Sequence, residues 1–290
     1  MNTFTRSIGF GELTGQKEIE SMVLKVVSGA SEMQRHKFSN GITVVEYDLV
    51  SSSSCGIRVR GEEDEEKKFH YSYFFPYLTA GTASNEEEIY INKKIDSDAY
   101  TGMCDDYRLG ISLIFYIQNV IDYLNAYEGA KTIAGKAVKF AGLASTGKII
   151  LPTLNYINEK DKIKKEAGKK GKLMADAKKG DMQAIETLTM NEIDNYARVS
   201  QRIMKEDMLS IVDTSIVPCG SESEMYSITG NILGANCETN SFTGDRIWVL
   251  QVECNGIDID VCINEKDLLG EPAVGRRFRG TVWLQGSLKV

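Results

Sequence analysis

Gly142 to Lys148 carries the spacing of a phosphate-binding loop, in which backbone amides cradle phosphate and the lysine reaches toward it. The residues beyond it break that pattern. Ile149 stands where the magnesium-binding Ser or Thr is needed, and Ile149-Ile150-Leu151-Pro152 reads as a strand ended by proline, where the chemistry demands a helix N-terminus. The segment therefore predicts a Gly-Lys hairpin turn, with Gly147 to Leu151 returning along Ala137 to Leu143. Gly129 to Lys136 has one residue too many for such a loop and fails more plainly.

General acid–base chemistry has few candidates. The only imidazoles are His36 and His70. His70 lies in the strand-like Lys68 to Tyr73 and reads as a sheet residue, while His36 follows the end of the first helix, where a cation suits the dipole. Spacing assigns no nucleophile to either. Paired carboxylates meet in space and leave no spacing signal, so a hydrolase using Glu62 or Asp105 and Asp106 stays open as the enzymatic alternative. Cysteines at 55, 104, 219, 237, 254 and 262 form no CxxC and predict no metal site; they read as small, partly buried thiols in a reducing compartment. The acidic runs Glu62 to Glu66 and Glu86 to Glu88 read as solvated loops, lacking the alternating oxygen ligands that calcium requires.

Recognition chemistry is concentrated near the C-terminal end. Alternation from Arg276 puts Phe278, Gly280, Val282 and Leu284 on one side of a strand and Arg277, Arg279, Trp283 and Gln285 on the other. Arginines contact anions through two donors and tryptophan stacks, so Arg277, Arg279, Trp283 and Gln285 are the candidate ligand or partner face. The plainer reading has Arg277 and Arg279 neutralise Asp258 and Asp260 on a neighbouring strand.

Those acids lie in the best-specified element of the chain. Asn255-Gly256 is a two-residue turn signal, since both positions need positive φ, and it sets Cys254 opposite Ile257, Val252 opposite Ile259, Leu250 opposite Val261 and Trp248 opposite Ile263. A one-residue slip would exchange the apolar and polar faces. Upstream, Ile19, Met22, Val23, Val26 and Val27 form a helical stripe. Ile42 to Val50, Phe69 to Phe75, Glu88 to Ile91 and Leu109 to Ile117 read as strands. Thr189-Met-Asn-Glu192 fits a capping box at the start of a helix, with a short helix through Met182, Ile185 and Leu188 before it as a helical hairpin.

At 290 residues, 42% hydrophobic and 26% charged, the chain is built like an ordinary globular protein. A net charge of -7 argues against dedicated nucleic-acid binding, and the 218–290 segment is itself net acidic. No apolar run is long enough for a membrane span and no signal peptide is recognisable, so the expectation is a cytoplasmic protein. Expected organisation is α+β: a mixed helix and antiparallel-sheet domain over 1–155, a lysine-rich helical connector over 156–217, and a small β-barrel, OB-like or SH3-like, over 218–290.

Glu206 to Thr214, Tyr226 to Gly230, Cys262 to Pro272 and Gly275 to Gly286, with Arg6 to Phe10 and Ser112 to Tyr116, resemble an uncharacterised family known as a domain of unknown function in anaerobic Gram-positive bacteria. The resemblance spans nearly the whole chain and implies no activity, cofactor or catalytic residue. The leading functional expectation is a non-enzymatic binding or assembly protein with an unidentified protein partner and no cofactor, its recognition face on the barrel. Weak single-stranded nucleic-acid binding by the last domain is a third reading.

Overall fold

A computed structural model describes residues 2–11, 15–81, 88–94, 99–106, 111–127, 130–133, 137–152, 169, 171–203, 214–220 and 223–289. It is a mixed α+β protein in which strands predominate. A 3-10 helix, Asn2–Ile8, precedes α1 (Gln16–Ser28), and α1 buries Met22 and Val26 from the predicted stripe. Four strands follow as an antiparallel meander: β1 (Glu32–Lys37), β2 (Thr43–Val50), β3 (Cys55–Glu63) and β4 (Phe69–Leu78). The β1–β2 hairpin turns at Asn40 and Gly41, where Gly41 takes φ 91°. Glu62 and Glu63 belong to β3, so the first acidic run is partly strand.

The second sheet begins with β5 (Ile89–Lys93), β6 (Tyr100–Asp106) and β7 (Ile111–Ile117). After α2 (Val120–Tyr127) and the short β8 (Thr132–Ile133) comes β9 (Val138–Ile150). Among the described residues two helices, α3 (171–178) and α4 (Met182–Ile203), lie between it and β10 (Ser215–Pro218) and β11 (Met225–Thr239). The remaining strands are β12 (Arg246–Cys254), β13 (Ile257–Asn264), β14 (Leu268–Leu269) and β15 (Arg277–Leu288).

Five of these strands close on themselves in the order β11, β12, β13, β9, β15 and back to β11. An odd ring cannot alternate direction throughout, so full closure requires one parallel contact. That contact is β13 beside β9, with Ile259 opposite Phe140 and Ile263 opposite Ala144. The barrel therefore draws one strand from before residue 155. Long β11 serves two neighbours within the ring, pairing β15 over Met225 to Asn231 and β12 over Asn231 to Thr239 with a bulge at Ile232/Gly234, and pairs β10 outside it over Tyr226 to Thr229.

The Asn255-Gly256 hairpin has the expected register: Cys254 faces Ile257, Val252 faces Ile259, Leu250 faces Val261 and Trp248 faces Ile263. Its turn residues take φ 52° and 85°, as a type I′ turn requires. Phe278, Val282 and Leu284 join Leu250, Val252, Val261 and Phe140 in the barrel interior. A second apolar layer fills the space between the four-stranded sheet and the outside of the barrel. The cluster joins Ile57, Val59 and Phe74 on one face of the four-stranded sheet, and Phe75 on the other, to Ala141, Leu143, Cys262 and Trp283, with side chains of α1 and the 3-10 helix packed among them.

Three local expectations give way. The predicted Gly-Lys turn is instead the middle of continuous β9, paired to β15 from Ile150 to Val138. Gly147 is required there by contact: a Cβ would lie 2.5 Å from the Phe278 ring and 2.8 Å from Ile263. The capping box also dissolves, because α4 runs unbroken through Thr189, whose hydroxyl donates to Ile185 O at 2.9 Å. Asp181 is the cap, accepting from Gln183 N at 2.9 Å and Ala184 N at 3.3 Å. Finally, His36 lies in β1, not after a helix end.

Candidate functional site

Where the two sheets meet, β3 carries alternating arginines into their shared interior. Arg60 is 1% exposed and donates through two nitrogens to Glu46 and through a third to the Tyr73 hydroxyl. Opposite charge this deep is held by mutual compensation. Arg58, two residues along β3, donates Nε and Nη2 to Asp48 Oδ2 at 3.1 and 3.0 Å and Nη1 to Gln118 O at 3.2 Å. Its guanidinium also sits 4.5 Å from the Tyr77 ring centre. Burial works against the Arg58 charge, but Glu46 and Asp48 outweigh it and hold its pKa above the ordinary value. Burial pushes the Asp48 carboxyl up despite Arg58, and burial together with Asp48 raises the Tyr77 hydroxyl.

Arg58 forms the inner wall of a cavity of about 250 Å³ at this seam. Its other walls come from the ends of five elements: Thr79 and Ala80 after β4, Gln118 and Asn119 after β7, Asp122 in α2, Lys139 in β9, and Ser287 to Lys289 at the end of β15. The amides fix this junction. Gln118 Nε2 donates to Leu78 O at 2.9 Å and Gln285 Oε1 at 2.6 Å, and Gln285 Nε2 donates to Pro76 O at 2.8 Å. Asn119 accepts from Leu288 N and donates to Leu288 O, both at 2.9 Å. Sheet, barrel and α2 are thus bonded to one another around a polar space.

The predicted ligand face lies largely in this seam. Trp283 is 4% exposed, with ring centres of Tyr116 and Phe4 at 5.0 and 5.6 Å, and Gln285 is fully buried in the bonds just described. Arg277 is buried, its Nε donating to Leu151 O at 2.8 Å. Arg279 is half-buried between Thr229 and Lys148 on the flanking strands. Because β9 separates β15 from β13, neither arginine is on a strand adjacent to Asp258 and Asp260. Asp260 instead accepts from Gly81 N at 2.7 Å.

A second cavity, about 400 Å³, opens between the β6–β7 strands and the helices α3 and α4, lined by Asp105, Asp106, Ile111, Ser112, Met174, Ala177, Lys178 and Leu188. Asp105 accepts from Ser112 Oγ at 2.6 Å and Lys178 Nζ at 3.2 Å, and the serine bond foremost holds its pKa below the usual carboxylate value. As neighbours on one strand, Asp105 and Asp106 project to opposite faces. The two histidines are surface groups: His70 Nε2 lies 2.7 Å from Asp64 Oδ2, and His36 Nδ1 lies 2.7 Å from Asn125 Oδ1.

Sequence reasoning missed the seam cavity because its walls come from six separate stretches. The one local signal was the i, i+2 pair Arg58 and Arg60, opposite Glu46 and Asp48 in the β2–β3 register. Among the described residues no group of three His, Cys, Asp or Glu could hold a metal ion, and no helix is long and apolar enough to cross a membrane. A family model described as a domain of unknown function, E. rectale gene description (DUF3881), matches residues 5–286. No curated protein and no solved structure matches the chain.

Proposed function

Since the chain belongs to this family, a domain of unknown function matched over nearly its full length, we propose a function from geometry alone: a non-enzymatic binding protein that takes a small polar ligand in the seam cavity. One observation carries the reading. Polar side chains from both sheets and α2 converge on a single concave space whose wall is pre-ordered by hydrogen bonds. Among the described residues the lining holds no histidine or cysteine and a single carboxylate, Asp122, which suits holding a molecule better than transforming it. The recognition role moves from the outer face of β15 to its C-terminal end.

The barrel is the scaffold in this reading, and it is OB-like. A five-stranded ring with one parallel contact matches an OB-type Greek key, with β9 supplied from earlier in the chain than the other four strands. The outer face of β13 toward Cys262 is covered by the 3-10 helix: Cys262 Sγ lies 3.2 Å from Ser7 O. This leaves less room for the single-stranded nucleic acid that such barrels bind elsewhere. The six free thiols of the chain fit a cytoplasmic setting.

Thermal-shift screening of a chemically diverse set of small metabolites tests the proposal, with wild type run beside Thr79→Trp, which fills the cavity from its exposed rim. A compound that raises the wild-type Tm by several degrees and leaves the variant unmoved is the expected result. If every stabilising compound acts equally on both, the ligand is elsewhere. The enzymatic alternative rests on the Asp105 cavity. Loss of a hydrolytic activity in Asp105→Asn with unchanged Tm would favour it over the seam.

A further inference from the structure

Resting on the seam-cavity reading, we infer that the ligand is an oxyanion of the phosphate class, either inorganic phosphate or a small phosphomonoester, held by Arg58, Lys139 and Lys289. The three cations line the cavity from β3, from β9 and from the end of β15, the last two on paired strands with Lys139 opposite Ser287. Lys139 and Lys289 form no ion pair with any described residue, in a chain whose net charge is -7. Arg58 uses three N–H groups on Asp48 and Gln118 out of the five a guanidinium carries, leaving donors for a further acceptor.

The carboxylates that balance Arg58 sit behind it in β2, so the guanidinium is fixed in place before anything binds. Asn119 adds a second contribution. Its side chain bonds Leu288 rather than the first turn of α2, so the amide end of that helix adjoins the cavity without a side-chain cap from Asn119. A tetrahedral oxyanion presents acceptors in several directions at once, which matches donors on three strands better than a planar carboxylate does. At about 250 Å³ the space holds such a group with a few further atoms.

Calorimetric titration of the full chain at low ionic strength with inorganic phosphate and, separately, with glycerol 3-phosphate tests this. The expected result is saturable binding of at least one of them that weakens about tenfold in Lys139→Met and again in Lys289→Met, with each variant's Tm unchanged in buffer, and that falls with added salt. Succinate and sulfate serve as comparison anions. Absence of binding by both phosphate compounds overturns the inference, as does binding undiminished in both variants or succinate binding as tightly. A neutral compound that stabilises wild type but not Thr79→Trp would, in those cases, leave the cavity reading standing and remove only the phosphate class.

Discussion

Arg60 is a charged residue whose place in the fold is structural. Its partner Glu46 is 3% exposed, its own guanidinium lies against Tyr73 and Phe75, and it lines neither cavity described above. Arg60→Met should therefore lower unfolding free energy by about 3–5 kcal/mol in urea titrations, because buried Glu46 loses its closest counter-charge and keeps only the Arg58 Nε contact at 3.5 Å. Adding Glu46→Gln should recover part of that loss, a result a catalytic pair would not give. At the other end of the seam, Glu238 in β11 accepts from Ser54 N at 3.1 Å and Ser54 Oγ at 2.7 Å. Burial opposes its charge, but the serine bonds win and hold its folded pKa below 4.5. The stabilisation is thus fully present above the unfolded value and is lost as pH falls through the lowered folded one. Comparing wild type with Glu238→Gln, the stability difference should shrink on acidification below about pH 4.5 and stay constant from pH 6 to 8.

Elements whose signal was local were legible, and those whose reason lay elsewhere in the chain were not. The Asn255-Gly256 hairpin carries its register in its own alternation, and α1 carries its buried stripe. Gly147, by contrast, looks like a turn until Phe278 and Ile263 are placed against it. Gly147→Ala should cost about 1–3 kcal/mol through that overlap, whereas a turn glycine at an exposed loop would tolerate alanine far better; thermal denaturation distinguishes the two. Thr189 and Asp181 make a similar contrast. Asp181→Ala should destabilise α4 by about 1 kcal/mol and speed amide exchange in its first turn, while Thr189→Ala should leave that exchange unchanged. Of the predicted site, Trp283 and Gln285 were rightly grouped on one side of β15, but which layer covers that side depends on the four-stranded sheet, and nothing in residues 277–285 encodes it.

At the scale of the molecule, the two sheets share an apolar layer and should unfold together. Trp283→Ala, at the centre of that layer, is expected to cost about 3–5 kcal/mol while keeping one cooperative transition by calorimetry and circular dichroism. The ring of five strands leads to a sharper expectation: a 214–290 fragment lacks β9 and should stay unfolded by circular dichroism, and a peptide covering 137–152 should restore strand content when added in trans. That same arrangement also sets a clock. On the ribosome β9 is finished well over a hundred residues before β15 begins, an interval on the order of 10 s at ordinary rates of synthesis. Through that interval Val138 and Phe140 have no barrel to enter, so nascent chains paused between residues 152 and 277 are the stage at which chaperone capture and aggregation should be greatest.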